Sequence, residues 1–428
     1  MKRRVILMAA WLLLAGLASS RVATAQDTIK VGVLHSLSGT MAISETTLKD
    51  TILMMIDEQN KKGGLLGKKL QAVVVDPASD WPLFAEKAAQ LLEKDKVAVV
   101  FGCWTSVSRK SVLPVFEKDN GLLFYPVQYE GEESSKNVIY TGAAPNQQAI
   151  PAVDYLMKDV GVKRWVLEGT DYVYPRTTNK ILEAYLLAKG VKPEDITINY
   201  TPFGHSDWQT RVAAIKKFGS AGQKTAVVST INGDANVPFY KELGNQKISA
   251  EDIPVVAFSV GEEELSGLDT KPLVGHLAAW NYFESISTPA NKAFIDQWHT
   301  FIKKPKRTTN DPMEAHYIGF NLWVKAVQKA GTTDVEKVLA ALPGLETPNL
   351  TGGIARMLPN HHITKPVYIG EVKADGQFNV VWKSTGTVPG DAWSDYLPGS
   401  KDIDADWVTL KCGNYNKVTK KCSGQNYK

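Results

Sequence analysis

The chain has 428 residues, of which 44% are hydrophobic, and its 49 Lys and Arg against 45 Asp and Glu give a formal net charge of +4. Beyond the first 25 residues no polybasic block stands out, which argues against nucleic acid or an anionic lipid surface as a partner. The length exceeds what one hydrophobic core usually holds, so two lobes are expected.

The first 25 residues read as a cleaved signal peptide. Lys2-Arg3-Arg4 precede an apolar run from Val5 to Leu17, which is too short for a membrane-spanning helix of about 20 residues. Ala23-Thr24-Ala25 has the small-x-small pattern of a cleavage site, so the mature chain is expected to begin near Gln26. A retained signal anchor is the alternative. With no lipid-anchoring Cys after the apolar run, the mature chain is predicted to be free in the periplasm and not inserted in the membrane.

Strand and helix patterns alternate along the first part of the mature chain. The predicted strands are Ile29 to Leu34, Leu70 to Val75, Val97 to Phe101 and Leu122 to Tyr125. The first helix between them has one apolar face, formed by Leu48, Ile52, Met55 and Ile56. The next two predicted helices are Pro82 to Lys94 and Val107 to Asn120. This alternation predicts βαβ units, in which a parallel sheet is covered by helices.

A second alternating set begins near Asn146. Its predicted strands are Arg164 to Glu168, Ile196 to Thr201, Thr225 to Ser229 and Val255 to Phe258, and its predicted helices are Gln147 to Asp159, Arg176 to Lys189, Trp208 to Phe218 and Asn236 to Leu243. Later helices, Pro289 to Lys303 and Pro312 to Ala330, are expected to return to the first lobe, and Val367 to Val372 with Phe378 to Trp382 are expected to form a hairpin. The predicted lobes are residues 26–145 with about 275–345, and residues 146–274 with about 346–428.

Residues just after the strands are the candidates for a ligand site, because open α/β sheets bind ligands at the carboxyl ends of their strands. The stretch Gly102-Cys103-Trp104-Thr105-Ser106 combines a turn, an aromatic ring and a helix start whose N–H groups can meet an oxygen atom. A plain helix cap with Trp104 in the core is the alternative. The other candidates are Tyr125, Val127, Tyr172, Tyr174, Asn232, Asp234 and Glu262. The alternative for Tyr125 is a ring packed under a turn, and the alternative for Tyr172 and Tyr174 is a helix start with Asp171 as its cap. For Glu262 the alternative is a solvated first helical turn together with Glu263 and Glu264.

These side chains suit a small neutral polar solute. Aromatic rings exclude water, hydroxyls and helix N–H groups bind a carbonyl oxygen, and carboxylate and amide oxygens accept N–H donors. No Gly-x-Ser-x-Gly, P-loop, His-Glu-x-x-His or Cys-x-x-Cys motif points to catalysis or to a metal site. His361-His362 is interpreted as a surface turn, and Trp208 and Trp298 as core residues.

The three cysteines divide into two groups. Cys412 and Cys422 flank a short polar segment and are predicted to form a disulfide in an oxidising compartment, which stabilises by about 2–3 kcal/mol. Cys103 is expected to be a small buried residue.

Together these stretches resemble the type I periplasmic binding proteins, which include the branched-chain amino acid receptors. The resemblance covers essentially the whole mature chain. The sequence stretches that carry it are Gly102-Cys103-Trp104-Thr105-Ser106, Tyr125-Pro126-Val127-Gln128-Tyr129-Glu130-Gly131, Ala144-Pro145-Asn146-Gln147 and Gly169-Thr170-Asp171-Tyr172-Val173-Tyr174-Pro175. Within that group the chain looks most similar to the urea-binding components of urea ABC transporters, and the amide sensor of the amidase operon is a near relative. That sensor usually has Tyr where this chain has Trp104, and Thr-Pro where it has Val127-Gln128.

The resemblance implies a two-lobed α/β fold with a ligand between the lobes, contacts at Trp104, Thr105, Ser106, Tyr125, Tyr172 and Tyr174, and no cofactor. It also implies urea as the ligand, delivery to an inner-membrane ABC permease, and no enzymatic activity. A short aliphatic amide as ligand, a cytoplasmic amide sensor and an extracytoplasmic amidase are the alternatives. The predicted signal peptide argues against the sensor, and the lack of a nucleophile–base motif argues against the amidase.

Overall fold

The computed structural model describes residues 27–406, 412–416 and 418–422. The predicted signal peptide lies outside these ranges. Within them, no helix combines the length and the apolar character that a membrane crossing requires.

The first lobe is built on a five-stranded parallel sheet with the strand order β2-β1-β3-β4-β5. The strands are β1 (Ile29–Leu34), β2 (Leu70–Val75), β3 (Val99–Gly102), β4 (Leu123–Tyr125) and β5 (Val138–Tyr140). Its helices are α1 (Ala42–Lys61), α2 (Trp81–Ala89, continued by a π-helical turn at Gln90–Lys94) and α3 (Ser106–Lys118). The predicted parallel βαβ arrangement is confirmed. Strand β5 was not predicted, because three residues are too few to give a strand pattern.

The second lobe is built on a seven-stranded mixed sheet with the order β15-β14-β10-β9-β8-β6-β7. Its strands are β6 (Arg164–Thr170), β7 (Ile196–Thr201), β8 (Thr225–Thr230), β9 (Val255–Ala257), β10 (Leu277–Trp280), β14 (Tyr368–Val372) and β15 (Phe378–Lys383). Its helices are α4 (Ala149–Tyr155, continued by a π-helical turn at Leu156–Val160), α5 (Val173–Ala188), α6 (Gln209–Gly219), α7 (Asn236–Asn245) and α8 (Glu262–Leu265). The predicted hairpin is confirmed as the antiparallel pair β14 and β15.

Both faces of the second sheet are covered, as its alternating side chains require. Val166 belongs to the core on one face, together with Trp208, while its neighbours Trp165 and Leu167 belong to the core on the other face. The prediction of Trp208 as a core residue is confirmed.

Two later helices return to the first lobe, namely α9 (Pro289–Ile302) and α10 (Asp311–Ala330). The Thr288 and Asn310 side chains cap their first turns, and Gly331 ends α10 in a left-handed conformation. Trp298 of α9 and Trp323 of α10 are buried in the core of the first lobe. The predicted core position of Trp298 is therefore confirmed. The short helix α11 (Val335–Ala341) follows.

Two segments lie in a different lobe from the one that the sequence-based boundaries gave them. Strand β10 pairs within the second sheet although residues from about 275 were expected in the first lobe. Conversely, Leu350, Ala355, Met357 and Ile363 pack in the core of the first lobe. The small strands here are β11 (Glu346–Pro348), β12 (Ile354–Arg356), β13 (Thr364–Lys365) and β16 (Val388–Pro389).

Three connections between the lobes lie side by side and are joined by side-chain amides. The Gln147 Nε2 donates to the carbonyl oxygens of Ile363 and Val388, at 2.9 and 2.7 Å. The Asn281 Nδ2 donates to those of Gln147 and Pro366, at 2.9 and 2.7 Å. These bonds form the hinge region of the molecule, because they link the connections near residues 147, 281 and 366 to one another.

The interpretation of His361-His362 as a surface turn is wrong for His362. This side chain is buried and stacks on the ring of Tyr140, with ring centroids 4.7 Å apart, and its Nε2 lies 2.6 Å from the Tyr129 hydroxyl. Burial lowers the pKa of His362 to about 4, so the ring is neutral at pH 7. Among the described residues, no group of His, Cys, Asp or Glu is arranged to hold a metal ion.

The end of the described chain forms a three-stranded antiparallel sheet of β17 (Ile403–Asp406), β18 (Cys412–Asn416) and β19 (Lys421–Cys422). The two predicted disulfide partners lie on neighbouring strands, but the side chain of Cys412 is outside the described part. The Cys412–Cys422 disulfide therefore stays a prediction. Cys103 is a buried free cysteine, as expected.

Candidate functional site

A tight turn at the end of β3 directs Trp104 toward the second lobe. A Cβ atom on Gly102 would lie 2.4 Å from the Leu34 carbonyl oxygen, so a side chain here would force β3 away from β1. The next residue, Cys103, has a left-handed φ of 71°. Helix α3 then begins at Ser106, with Thr105 as the N-cap residue, and the Thr105 side chain makes no capping hydrogen bond. Its hydroxyl lies beside Tyr172 of the second lobe, whose pKa it lowers slightly against the larger effect of burial.

Trp104 is both a core residue of the first lobe and a contact to the second. It is buried, and its Nε1 donates to the Asn232 Oδ1 at 3.2 Å. Asn232 follows β8 and its backbone N–H donates to the Thr170 Oγ1. A second bond between the lobes joins the Gln128 Nε2 to the Ser259 Oγ at 2.7 Å. The two lobes thus touch directly around Trp104.

Tyrosines from both lobes enclose the same region. Tyr125 ends β4, while Tyr172 and Tyr174 lie at the start of α5, and all three are buried. Tyr172, Tyr174 and Val107 of α3 form one small apolar cluster, against which Phe203 packs. Burial raises the pKa of the three tyrosines, so their hydroxyls stay protonated.

Several polar atoms around these rings are buried without a hydrogen-bond partner in the described part of the chain. They are the Thr105 Oγ1, the Tyr125 and Tyr174 hydroxyls, the Gln128 Oε1 and the Glu130 Oε2. All but the last have a polar side chain nearby, since Ser106 acts on Tyr125, Thr105 on Tyr172, and Ser259 and Gln128 on Tyr174 in lowering the tyrosine pKa values. Each such atom costs about 1–3 kcal/mol when it is left unpaired. Their concentration in one place indicates a site for a polar molecule that supplies the missing partners.

A buried ion-pair cluster supports this site from behind. The Arg109 guanidinium donates to the Ser106 Oγ at 3.1 Å, to the Glu130 Oε1 at 2.8 Å and to the Glu133 Oε1 at 2.7 Å. The Lys110 Nζ lies 2.7 Å from the Glu133 Oε2. Burial alone would raise the pKa of Glu133, but Arg109 and Lys110 outweigh it and hold that pKa well below its usual range. Two cations and two carboxylates face each other here, so the cluster has no excess charge.

The sequence-predicted residues do not all join this group. Trp104, Thr105, Ser106, Tyr125, Tyr172, Tyr174 and Asn232 lie around it, and Val127 is buried in the core of the first lobe. The Asp234 side chain is exposed, and this residue meets the first lobe through its backbone N–H, which donates to the Thr40 carbonyl oxygen at 3.2 Å. The Glu262 Oε1 accepts the Glu284 N–H at 2.8 Å within the second lobe.

The alternative of a solvated helical turn at Glu262, Glu263 and Glu264 is wrong, because all three are buried. The member of this run that reaches the first lobe is Glu264, whose Oε1 accepts from the Ser44 Oγ at 2.7 Å. Burial raises the pKa of Glu264.

Sequence reasoning missed Arg109, Gln128 and Glu130. Gln128 and Glu130 were visible in the loop after β4. Arg109 follows Ser106 by one helical turn, which places both on the same face of α3.

Two surface clefts of about 730 and 590 Å³ lie elsewhere, and neither is lined by a residue of the candidate site.

A family model described as a periplasmic binding protein domain matches residues 29–399, which include both lobes and every residue of this cluster. This chain belongs to that family. The predicted two-lobed α/β fold of the periplasmic binding proteins is thereby confirmed.

The chain is similar to proteins of known name at low identity. The Leu/Ile/Val-binding protein BraC3 of Rhizobium johnstonii is 27% identical over 355 residues, which are 80% of this chain and 90% of that protein. A protein named limonene hydroxylase, from Geobacillus stearothermophilus, is 30% identical over only 124 residues, and the match spans 22% of its length. That match covers 28% of this chain.

Solved structures show the same fold. A solute-binding protein of an ABC transporter from Rhodopseudomonas palustris HaA2, in complex with p-hydroxybenzoic acid, superposes with a TM-score of 0.73 at 22% identity. The superposition covers 86% of this chain and 99% of that protein.

Proposed function

We propose that this periplasmic binding protein is the substrate-binding component of an ABC transporter and that its ligand is urea. The observation that carries the proposal is the group of buried, unpartnered polar atoms enclosed by Trp104, Tyr125, Tyr172 and Tyr174 between the lobes. Urea has one carbonyl oxygen and N–H donors on both sides, so a site that buries it must offer hydroxyl donors together with several acceptors. The cluster offers both kinds of group.

The charge balance of the site favours a neutral ligand. The guanidinium of Arg109 already donates to Ser106, Glu130 and Glu133, and Lys110 is paired with Glu133. A ligand carboxylate would have to compete with these carboxylates for its cation, and desolvating it without a partner is costly. For this reason we favour urea over a branched-chain amino acid, the ligand class in the name of the Rhizobium johnstonii relative.

Binding is proposed to act through lobe closure. Solute docks on the first lobe at Thr105 and Ser106, and the second lobe brings Tyr172 and Tyr174 over it. Contacts such as Trp104 to Asn232 exist only when the lobes meet, so they favour the closed form together with the ligand. The closed form then delivers the solute to an inner-membrane permease from the periplasm.

Calorimetric titration tests the ligand directly. Protein freed of bound solute by unfolding and refolding is titrated with urea, acetamide, formamide and leucine. We expect urea to bind most tightly. A short aliphatic amide is the second candidate, since it keeps one carbonyl and one amide group, and tighter binding of acetamide would select it. Absence of urea binding at millimolar concentration rejects the proposed ligand. Incubation with urea should release no ammonia, and steady release would show an enzyme instead.

A further inference from the structure

Glu130 occupies an unusual position in the cluster behind the cleft. Its side chain is fully buried, and one carboxylate oxygen, Oε1, accepts from the Arg109 Nη2 at 2.8 Å. The other oxygen, Oε2, is buried and has no hydrogen-bond partner among the described residues. Its negative charge acts on Tyr125, Tyr172 and Tyr174, and it contributes to raising the pKa of each hydroxyl, after the larger effect of burial. The Arg109 guanidinium that Glu130 binds lies over the Tyr125 ring, 4.8 Å from its centroid, which places Glu130 beside the tyrosines that enclose the cleft.

An ionised carboxylate can accept hydrogen bonds but cannot donate one. The ion pair with Arg109 offsets the charge of Glu130 and leaves Oε2 as an acceptor in a dry, aromatic environment. Such an atom is complementary to an N–H group, and it repels an anion or a bare carbonyl oxygen of the same shape.

We propose that Glu130 is a specificity-determining residue whose Oε2 accepts an N–H group of the bound solute and so selects amide-like solutes over anions of similar shape. This inference rests on the proposed function, since it concerns the same cleft. Arg109 acts as a positioning residue, because it holds both Glu130 and Ser106 from behind the site.

Glu133 provides a matched control. It is bound to the same guanidinium, but neither of its oxygens is left unpartnered. The Oε1 accepts from the Arg109 Nε and the Tyr140 hydroxyl, and the Oε2 lies 2.7 Å from the Lys110 Nζ. Glu133→Gln therefore disturbs the ion-pair cluster without removing an acceptor that faces the cleft.

The test uses the full chain and two probes, urea and acetate, which has a similar shape but carries oxygen where urea has an NH₂ group. In Glu130→Gln the amide keeps an oxygen for Arg109 and turns an NH₂ group toward the solute. We expect urea affinity to fall at least tenfold and acetate affinity to rise. The ratio of urea affinity to acetate affinity should therefore fall by about 100-fold. In Glu133→Gln, which keeps the Glu130 Oε2, urea affinity should stay within about twofold of the unchanged protein, and only acetate affinity should respond to the lost negative charge.

Two results would overturn the inference. One is urea affinity unchanged in Glu130→Gln. The other is a parallel loss of urea and acetate binding in both variants, which indicates a structural role only. If Glu130→Gln does not fold, Glu130→Asp keeps the charge and shortens the reach. Its expected result is weaker urea binding with acetate still rejected, and unchanged urea affinity counts against the inference.

The inference and the proposed ligand fail in different ways. If the unchanged protein binds acetamide or leucine but not urea, urea is wrong as the ligand, and the same two variants decide on Glu130 with the solute that binds. If none of the three binds at millimolar concentration, both are rejected.

Discussion

Replacing Trp104 with Phe isolates one hydrogen bond between the lobes. The Trp104 Nε1 donates to the Asn232 Oδ1 at 3.2 Å, and Phe keeps an aromatic ring while it removes this donor. Separation of the lobes would let water bind the amide oxygen of Asn232, so we expect the loss to fall on the closed form alone. A buried acceptor left without its partner costs about 1–3 kcal/mol, which corresponds to a 5- to 150-fold change in the closing equilibrium.

Because ligand binding is coupled to closure, affinity should fall by a similar factor, and about tenfold is expected for Trp104→Phe. Trp104→Ala also removes the ring that excludes water, so its loss should be at least as large. Titration calorimetry gives the affinity, and small-angle scattering with and without ligand reports whether the lobes still close.

Trp208 supplies the control for this experiment. It is equally buried, but its Nε1 donates to the His205 carbonyl oxygen at 3.0 Å within the second lobe. Trp208→Phe should lower the melting temperature and leave affinity within about twofold. If Trp104→Phe binds as tightly as the unchanged protein, the Trp104 loop does not take part in closure and the reasoning is refuted.

Two further substitutions and one chemical probe test other parts of the structure. Ser44→Ala removes the donor to Glu264 and should weaken ligand binding about fivefold. The melting temperature of the ligand-free protein should change little. Equal affinity would show that this bond does not favour closure. Burial raises the pKa of Glu168 to about 7 although the Arg211 Nε lies 3.5 Å from its Oε1. Since its ordinary pKa is 4.5, the folded protein loses stability as the pH rises from 4.5 to about 7. Glu168→Gln should therefore raise stability by about 3 kcal/mol at pH 8 and change it little at pH 4.5, and pH-independent melting differences would contradict this. Burial also raises the pKa of the Cys103 thiol, so a thiol reagent should not react with Cys103 in the folded protein. After unfolding without reductant, one reactive thiol is expected if Cys412 and Cys422 are paired, and three are expected if they are not.

Three strands could be predicted to the residue. The runs at Ile29–Leu34, Leu70–Val75 and Ile196–Thr201 begin and end in the structure at the predicted residues. Val138–Tyr140 and Leu277–Trp280 were not predicted, because three or four apolar residues do not distinguish a short strand from a loop. These strands form through pairing with neighbours that are distant in sequence.

The position of the cleft could be predicted because strand ends of parallel sheets meet at one edge. Which side chains of the cleft meet one another could not be predicted. Glu262, Glu263 and Glu264 are equivalent in sequence, and only the packing of α8 against α1 decides that Glu264 meets Ser44. Glu130 was unremarkable as one acid in a loop, and its significance comes from Arg109, which α3 brings against it.

The amides of Gln147 and Asn281 have a consequence for how the protein moves. Each donates to two backbone carbonyls on neighbouring connections, so a torsional change in one connection is transmitted to the others. Such coupling leaves one shared axis of rotation instead of three independent swivels. We therefore expect the two lobes to open as rigid bodies about this one axis, which would separate Trp104 from Asn232.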